Sequence, residues 1–248
     1  MIAFVLSGGG NRGALQAGAL QALLERGIVP DLLVGTSVGA LNAAVLAADP
    51  TAEGARRQAE GWANIRRSDV FPGNAVTVAW RVLLGRGSFH SRDAFARLVL
   101  ATLPPNVRRF KDLRRPCVIT ATSQASGRLR LFGDDPHERL RDALLASTAM
   151  PPFYAPYQYR GDLLLDGALV ANLPISFVIA RAAREIYTLE IVDDLVASAR
   201  PGLIDTLTAS LNAMLNRQHE QERHAVALAH ARGITVHDIR LLSGQSLA

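Results

Sequence analysis

Ser37 stands between two glycines in Gly35-Thr36-Ser37-Val38-Gly39, directly after the apolar run Leu32-Leu33-Val34 and directly before an alanine-rich stretch of helical character. A serine on a tight strand-to-helix turn stands clear of its sheet, and glycines at 35 and 39 remove the Cβ atoms that would clash in so sharp a bend. This is the pattern of a nucleophile elbow. The chemistry it offers is attack of a hydroxyl on a substrate carbonyl.

A second glycine cluster, Ser7-Gly8-Gly9-Gly10-Asn11-Arg12-Gly13, follows the apolar run Ile2 to Leu6. As GxGxxG after a strand it matches a dinucleotide fingerprint, which holds pyrophosphate on a helix N-terminus and needs an acidic residue at the end of the second strand. Asp31 precedes that strand instead, and its far end carries the serine. The second reading is an oxyanion hole: N–H groups of Gly9 and Gly10 converge on the oxygen of a tetrahedral intermediate, with the positive charge of Arg12 nearby. The bland reading of the glycines is a tight strand-to-helix turn, and that of Arg12 is a structural salt bridge.

A nucleophilic serine needs a base, usually histidine. Six are present, at 90, 137, 219, 224, 230 and 237. His219, Glu220 and His224 mimic a zinc helix, but these histidines lie five apart, about 140° around a helix, where HExxH needs four. No metal site is expected there. His237 follows the other candidates in chain order but is a lone histidine in the alternating run Ile234 to Ile239, a weak claim to the role. A carboxylate is the better candidate. In Leu163-Leu164-Leu165-Asp166-Gly167-Ala168 an apolar strand ends in an acid followed by glycine, repeating the architecture around Ser37; a plain turn carboxylate is the alternative.

The elements that must position these groups follow from periodicity. Strands are predicted at 2–6, 31–35, 116–122, 128–132, 162–165, 185–191 and 234–240. Helices are predicted at 13–26, 38–48, 92–102, 138–146, 174–183 and 203–232. The βαβα opening implies an α/β sandwich with a largely parallel sheet, in which ligands sit at the carboxyl ends of strands, where Gly8 and Ser37 fall.

With 248 residues, 49% of them hydrophobic, and no linker-like stretch, the chain reads as a single domain, 1–248. Its net charge of +5 comes from arginine, Lys111 being the only lysine, with pairs at 56–57, 66–67, 108–109 and 114–115. The pairs are scattered and mostly have acids near them, so solvated surface is favoured over an anionic-lipid face. No motif supports nucleic-acid binding. Cys117 sits alone in an apolar run, as a small core residue in a reducing compartment does. The first apolar run is too short for a secretion signal, and no stretch approaches the roughly 18 to 20 apolar residues that cross a bilayer. A cytoplasmic protein is expected, with any membrane contact peripheral.

Taken in order, the GGGxRG loop at 8–13, the GxSxG elbow at 35–39 and the Asp-Gly-Ala triplet at 166–168 resemble the patatin-like phospholipase family. The segment Ala146 to Phe153, with Asn172 and Pro174, also looks like that family's sequence around its aspartate, and the resemblance spans residues 2 to about 190. It implies a three-layer α/β/α sandwich and a dyad of Ser37 as nucleophile and Asp166 as base. The implied substrates are lipid or small acyl esters, with no cofactor and no metal. Gly8, Gly9, Gly10, Arg12 and Gly13 are expected to surround the oxyanion or substrate, with Gly35, Gly39 and Gly167 in support. Asn172 is either an orienting or a purely structural residue.

An unperturbed aspartate, with a pKa of about 3.9, is a poor base for a hydroxyl. Burial beside the sheet is expected to raise that value, with a direct bond to Ser37 letting the proton move as the carbonyl is attacked. Esters and thioesters are accordingly expected to be cleaved far faster than amides. Between Trp62 and Leu103 the irregular segment carrying Phe71, Trp80 and Phe89 suits core packing first, and an acyl-groove wall or interfacial lid second. A thioesterase or acyltransferase on the same dyad and a non-catalytic lipid-binding regulator stay open; a nucleotide-binding oxidoreductase ranks last.

Overall fold

The computed structural model describes residues 1–192 and 202–242; the side chains of a few helical positions, His219 among them, also lie outside the described residues. The chain runs β1 (Ile2–Leu6), α1 (Gly13–Glu25), β2 (Leu32–Thr36), α2 (Val38–Ala48), α3 (Ala52–Ala63), α4 (Arg67–Val70), α5 (Ala75–Leu83) and α6 (Asp93–Thr102). It continues through β3 (Cys117–Ser123), β4 (Leu129–Phe132), α7 (Leu140–Ser147), β5 (Tyr157–Tyr159), β6 (Asp162–Asp166), α8 (Ile175–Ala180), β7 (Glu185–Val192), α9 (Leu203–Ala231) and β8 (Thr235–Leu242).

The strands form one sheet in the order β5-β6-β3-β2-β1-β7-β8, with β4 also paired to β3. Pairing is parallel from β3 through β8 and antiparallel where β4, β5 and β6 join. β1 and β2 are unbroken apolar runs because both their faces are covered. Phe4 and Leu6 face the core shared with α1, α2 and α7, whereas Ala3 and Val5 face the core shared with α8 and α9. That alternation makes the three layers. Phe4 and Leu33, cross-strand partners on adjacent strands, and Ile119 on the next are wholly buried, each side chain contributing about 1.5–3 kcal/mol.

Three helices and a strand, α3, α4, α5 and β5, are not among the predicted elements. α3 is capped by the Thr51 hydroxyl, which accepts from the Gly54 N–H, but it buries only Gly54, Ala55 and Gln58, so it has almost no apolar stripe to read. Its arginines 56 and 57 pair with Glu53, Glu60 and Asp49, as solvated surface pairs do. Cys117 is the expected core residue; burial pushes its thiol up to about 12.

The sheet brings Ser37 and Asp166 together through β3. Ile119 and Thr120 pair with both β2 and β4, and Ala121 and Thr122 pair with both β4 and β6. A strand has only two edges, so β2 and β6 occupy the same edge of β3 and meet end to end. Thr36 lies opposite Thr120 and Asp166 opposite Ala121, which leaves the last residues of the two strands adjacent.

Candidate active site

Ser37 caps α2 with φ 55° and ψ −123°, a conformation that a residue with a Cβ rarely takes and that turns its side chain out of the sheet. Its N–H donates to Ser147 Oγ at 2.8 Å, fixing the elbow to the end of α7. Its hydroxyl donates to Asp166 Oδ2 at 2.7 Å. Gly35 and Gly39 sit where α2 turns back over β2 and β1: a Cβ on Gly35 would lie 2.6 Å from Ala40 Cα, and one on Gly39 would lie 2.5 Å from Ser7 O.

Asp166 is fully buried. Its Oδ1 accepts from the Ala168 N–H at 2.9 Å, and its backbone carbonyl accepts from the Thr122 hydroxyl at 2.9 Å. Burial pushes the carboxyl from 3.8 up to about 7, and the bonds from Ala168 and Ser37 pull back only part of that rise. A carboxyl tuned toward neutral pH in this way suits general-base chemistry. Gly167 follows, packed against Thr120.

The glycine loop closes over the elbow. The Gly8 N–H donates to Asn172 Oδ1 at 2.9 Å, which ties the loop to the chain beyond β6. Gly9 packs on Ile191, Gly10 adopts a left-handed φ of 61°, and Gly13 opens α1 beneath Trp62. The Gly8 and Ser37 N–H groups are already bonded within the protein, and Gly9 and Gly10 line the cavity beside Ser37. The Arg12 guanidinium bonds the Gly9 and Val192 carbonyls, tying the loop to the end of β7.

Sequence reasoning missed the buried amide network beneath this loop. Asn42 Nδ2 donates to Gly13 O at 2.9 Å and to Gln16 Oε1 at 3.0 Å, while Gln16 Nε2 donates to Ser7 O at 2.8 Å. Asn42 Oδ1 accepts from Gln58 Nε2 at 2.8 Å and Trp62 Nε1 at 2.9 Å. The available signal was Asn42 itself, an amide in an otherwise apolar helix, since buried polar groups require partners.

A cavity of about 1140 Å³ opens at Ser37, Asp166 and the glycine loop. It follows the Val38, Leu41 and Val45 stripe, about 10 Å of the roughly 16 Å length of α2 at 1.5 Å per residue, on to Asp49 and Pro104, and is walled by Trp62, Phe71, Phe95 and Phe153. The aromatics of the 62–103 segment thus divide. Phe71 lines the cavity, and Phe89 packs edge-on against Phe153. Trp80 does neither, being 61% exposed, and core packing is wrong for it.

Among the described residues no histidine lines the cavity. His237 sits mid-strand on β8, bonded to Glu185 and stacked on Tyr187. Asp31, which a dinucleotide site would need near the loop, accepts from the Ile2 N–H at the opposite end of the strands.

The patatin-like phospholipase family model matches residues 4–179, a span that includes the glycine loop, the elbow and Asp166. Patatin-like phospholipase domain-containing protein 7 of Rattus norvegicus is 30% identical over 194 residues, 77% of this chain and 13% of its own length. Patatin-like phospholipase domain-containing protein 6 of Homo sapiens is 29% identical over 77% of this chain and 13% of its own, and lysophospholipase NTE1 of Mycosarcoma maydis 28% identical over 78% and 10%. The chain thus spans about a tenth to an eighth of these relatives' length. The crystal structure of VipD from Legionella pneumophila shares the fold, with a TM-score of 0.54 at 16% identity, covering 84% of this chain and 52% of that one. By family model and relatives together, this chain belongs to the patatin-like phospholipase family.

Proposed function

We propose that this chain is a lipid acyl hydrolase working through a Ser37–Asp166 dyad. The observation that carries the reading is the 2.7 Å bond from Ser37 Oγ to a buried Asp166, made at the mouth of an apolar cavity long enough for a fatty acyl chain. The family and the name of its lysophospholipase relative support lipid esters as the substrate class.

Ser37 attacks the ester carbonyl as its proton passes to Asp166. The oxyanion is held by the Gly9 and Gly10 N–H groups near the positive end of α2, with Arg12 bracing the loop. Asp166 then returns its proton to the departing alcohol, leaving an acyl-Ser37 ester. It next takes a proton from water, whose attack releases the acid and restores the serine. A p-nitrophenyl acyl ester series should give a burst of about one equivalent per chain, and a fluorophosphonate should label the peptide containing Ser37. A folded protein showing neither turnover nor label would overturn the reading.

The cavity also sets chain-length preference. Val45→Trp should block its far half and lower kcat/KM on long-chain esters about tenfold or more, since each excluded methylene removes about 0.8 kcal/mol of burial. Short-chain esters should turn over as before. A parallel loss across the whole series would place the acyl chain elsewhere.

A further inference from the structure

We infer that α5 is an interfacial helix that seats the cavity on a lipid surface. Its residues Val76, Trp80 and Leu83, followed by Leu84, are 75%, 61%, 76% and 54% exposed, and their spacing of four, three and one puts them on one helical face. The helix is tied down beside that face: Arg81 Nε donates to Ser88 O at 3.0 Å and its Nη2 to Ser88 Oγ at 3.2 Å. The apolar face is therefore held outward by the fold.

The surroundings select the occupant. From Val70 to Arg92 there is no aspartate or glutamate, while Arg81, Arg86 and Arg92 are all present and Arg86 is exposed. A tryptophan and aliphatics outward, with the exposed Arg86 alongside, match the interfacial layer of an anionic bilayer, where indole rings and arginines partition. The segment also leaves the cavity wall at Phe71 and rejoins it at Phe95, so α5 is carried on an excursion from that wall. No helix among the described residues is long and apolar enough to cross a membrane, so contact would be in the plane of the surface. The inference rests on the acyl-ester reading for what the cavity takes up, but its binding step is measured separately.

The test is cosedimentation of the full chain with vesicles of phosphatidylglycerol and phosphatidylcholine, beside turnover of a soluble short-chain ester. The triple variant Val76→Ser, Trp80→Ser, Leu83→Ser should bind at least tenfold more weakly and turn over the soluble ester as wild type does. Arg86→Gln should weaken binding to the anionic vesicles about fivefold and leave binding to pure phosphatidylcholine unchanged. Equal binding by wild type and the triple variant overturns the proposal, as does a wild type that binds neither vesicle. A dimer that the triple variant dissociates, without vesicle binding, also overturns it and assigns the face to a second copy. Vesicle binding through α5 by a wild type with no esterase turnover would sink the hydrolase reading and leave the docking helix standing.

Discussion

Asp166→Asn should lower ester turnover by roughly a thousandfold or more, in the range lost when the base of a serine hydrolase is removed. The amide can still accept from the Ala168 N–H and contact Ser37 Oγ, so the site keeps its shape and loses only the capacity to take a proton. The wild-type rate should accordingly rise with pH as the carboxyl ionises, with its midpoint near 7, and reach a plateau above it. Turnover measured from pH 5 to 9 on a non-ionising ester checks this. A midpoint near 4 would mean that Asp166 is not desolvated during the reaction.

The same substitution should stabilise the fold, and the sign follows from proton linkage. A carboxyl raised from 3.8 to about 7 keeps its proton in the native chain at pH values where the unfolded chain has already lost it. Stability therefore falls as pH rises from about 4 through 7, and the cost is complete above 7, on the order of 4 kcal/mol at about 1.36 kcal/mol per pH unit. Asparagine does not ionise and escapes that cost. Asp166→Asn should melt several degrees above wild type at pH 8, with the gap narrowing toward pH 5. Equal melting temperatures at pH 8 would show that the carboxylate's burial is fully compensated.

What the sequence made legible was local. The elbow, the glycine loop and the Asp-Gly-Ala triplet each announce themselves within a few residues, because sharp turns and close approaches demand glycine at fixed offsets. The pairing of Ser37 with Asp166 was suggested by a second strand ending in an acid and glycine and implied by family resemblance, but its geometry was not legible. It depends on β2 and β6 sharing one edge of β3, a matter of register that Thr120 and Ala121 do not advertise. The cavity was equally hidden, since Leu41 and Phe95 come from α2 and α6 and Phe71 from the bend after α4, and they converge only when packed. Trp80 shows the limit from the other side: its spacing with Val76 and Leu83 is helical, but periodicity marks an apolar face without saying whether protein covers it. Ser147, which holds the Ser37 N–H, carries no signal beyond lying in the family-like segment.

Gly39→Ala should cost about 3 kcal/mol or more and take activity with it, while Gly18→Ala should stabilise by about 0.5–1 kcal/mol. Both residues lie in helices, and propensity alone favours alanine at each. They differ in what the added methyl meets. At Gly18 it meets nothing within 4 Å. At Gly39 it would lie 2.5 Å from Ser7 O and 2.7 Å from Leu6 C, both backbone atoms of the β1 end that leads into the glycine loop. Neither can give way alone, because Ser7 O also accepts from Gln16 and the Ser7 hydroxyl accepts from the Ile191 N–H. α2 must therefore move off β1, carrying Ser37 away from Asp166 and from the Gly9 and Gly10 donors. Urea midpoints of the two variants, with ester turnover of each folded protein, read out this opposition. A Gly39→Ala variant as stable and active as wild type would show that the helix is not pressed on the strand, and the elbow's geometry would need another source.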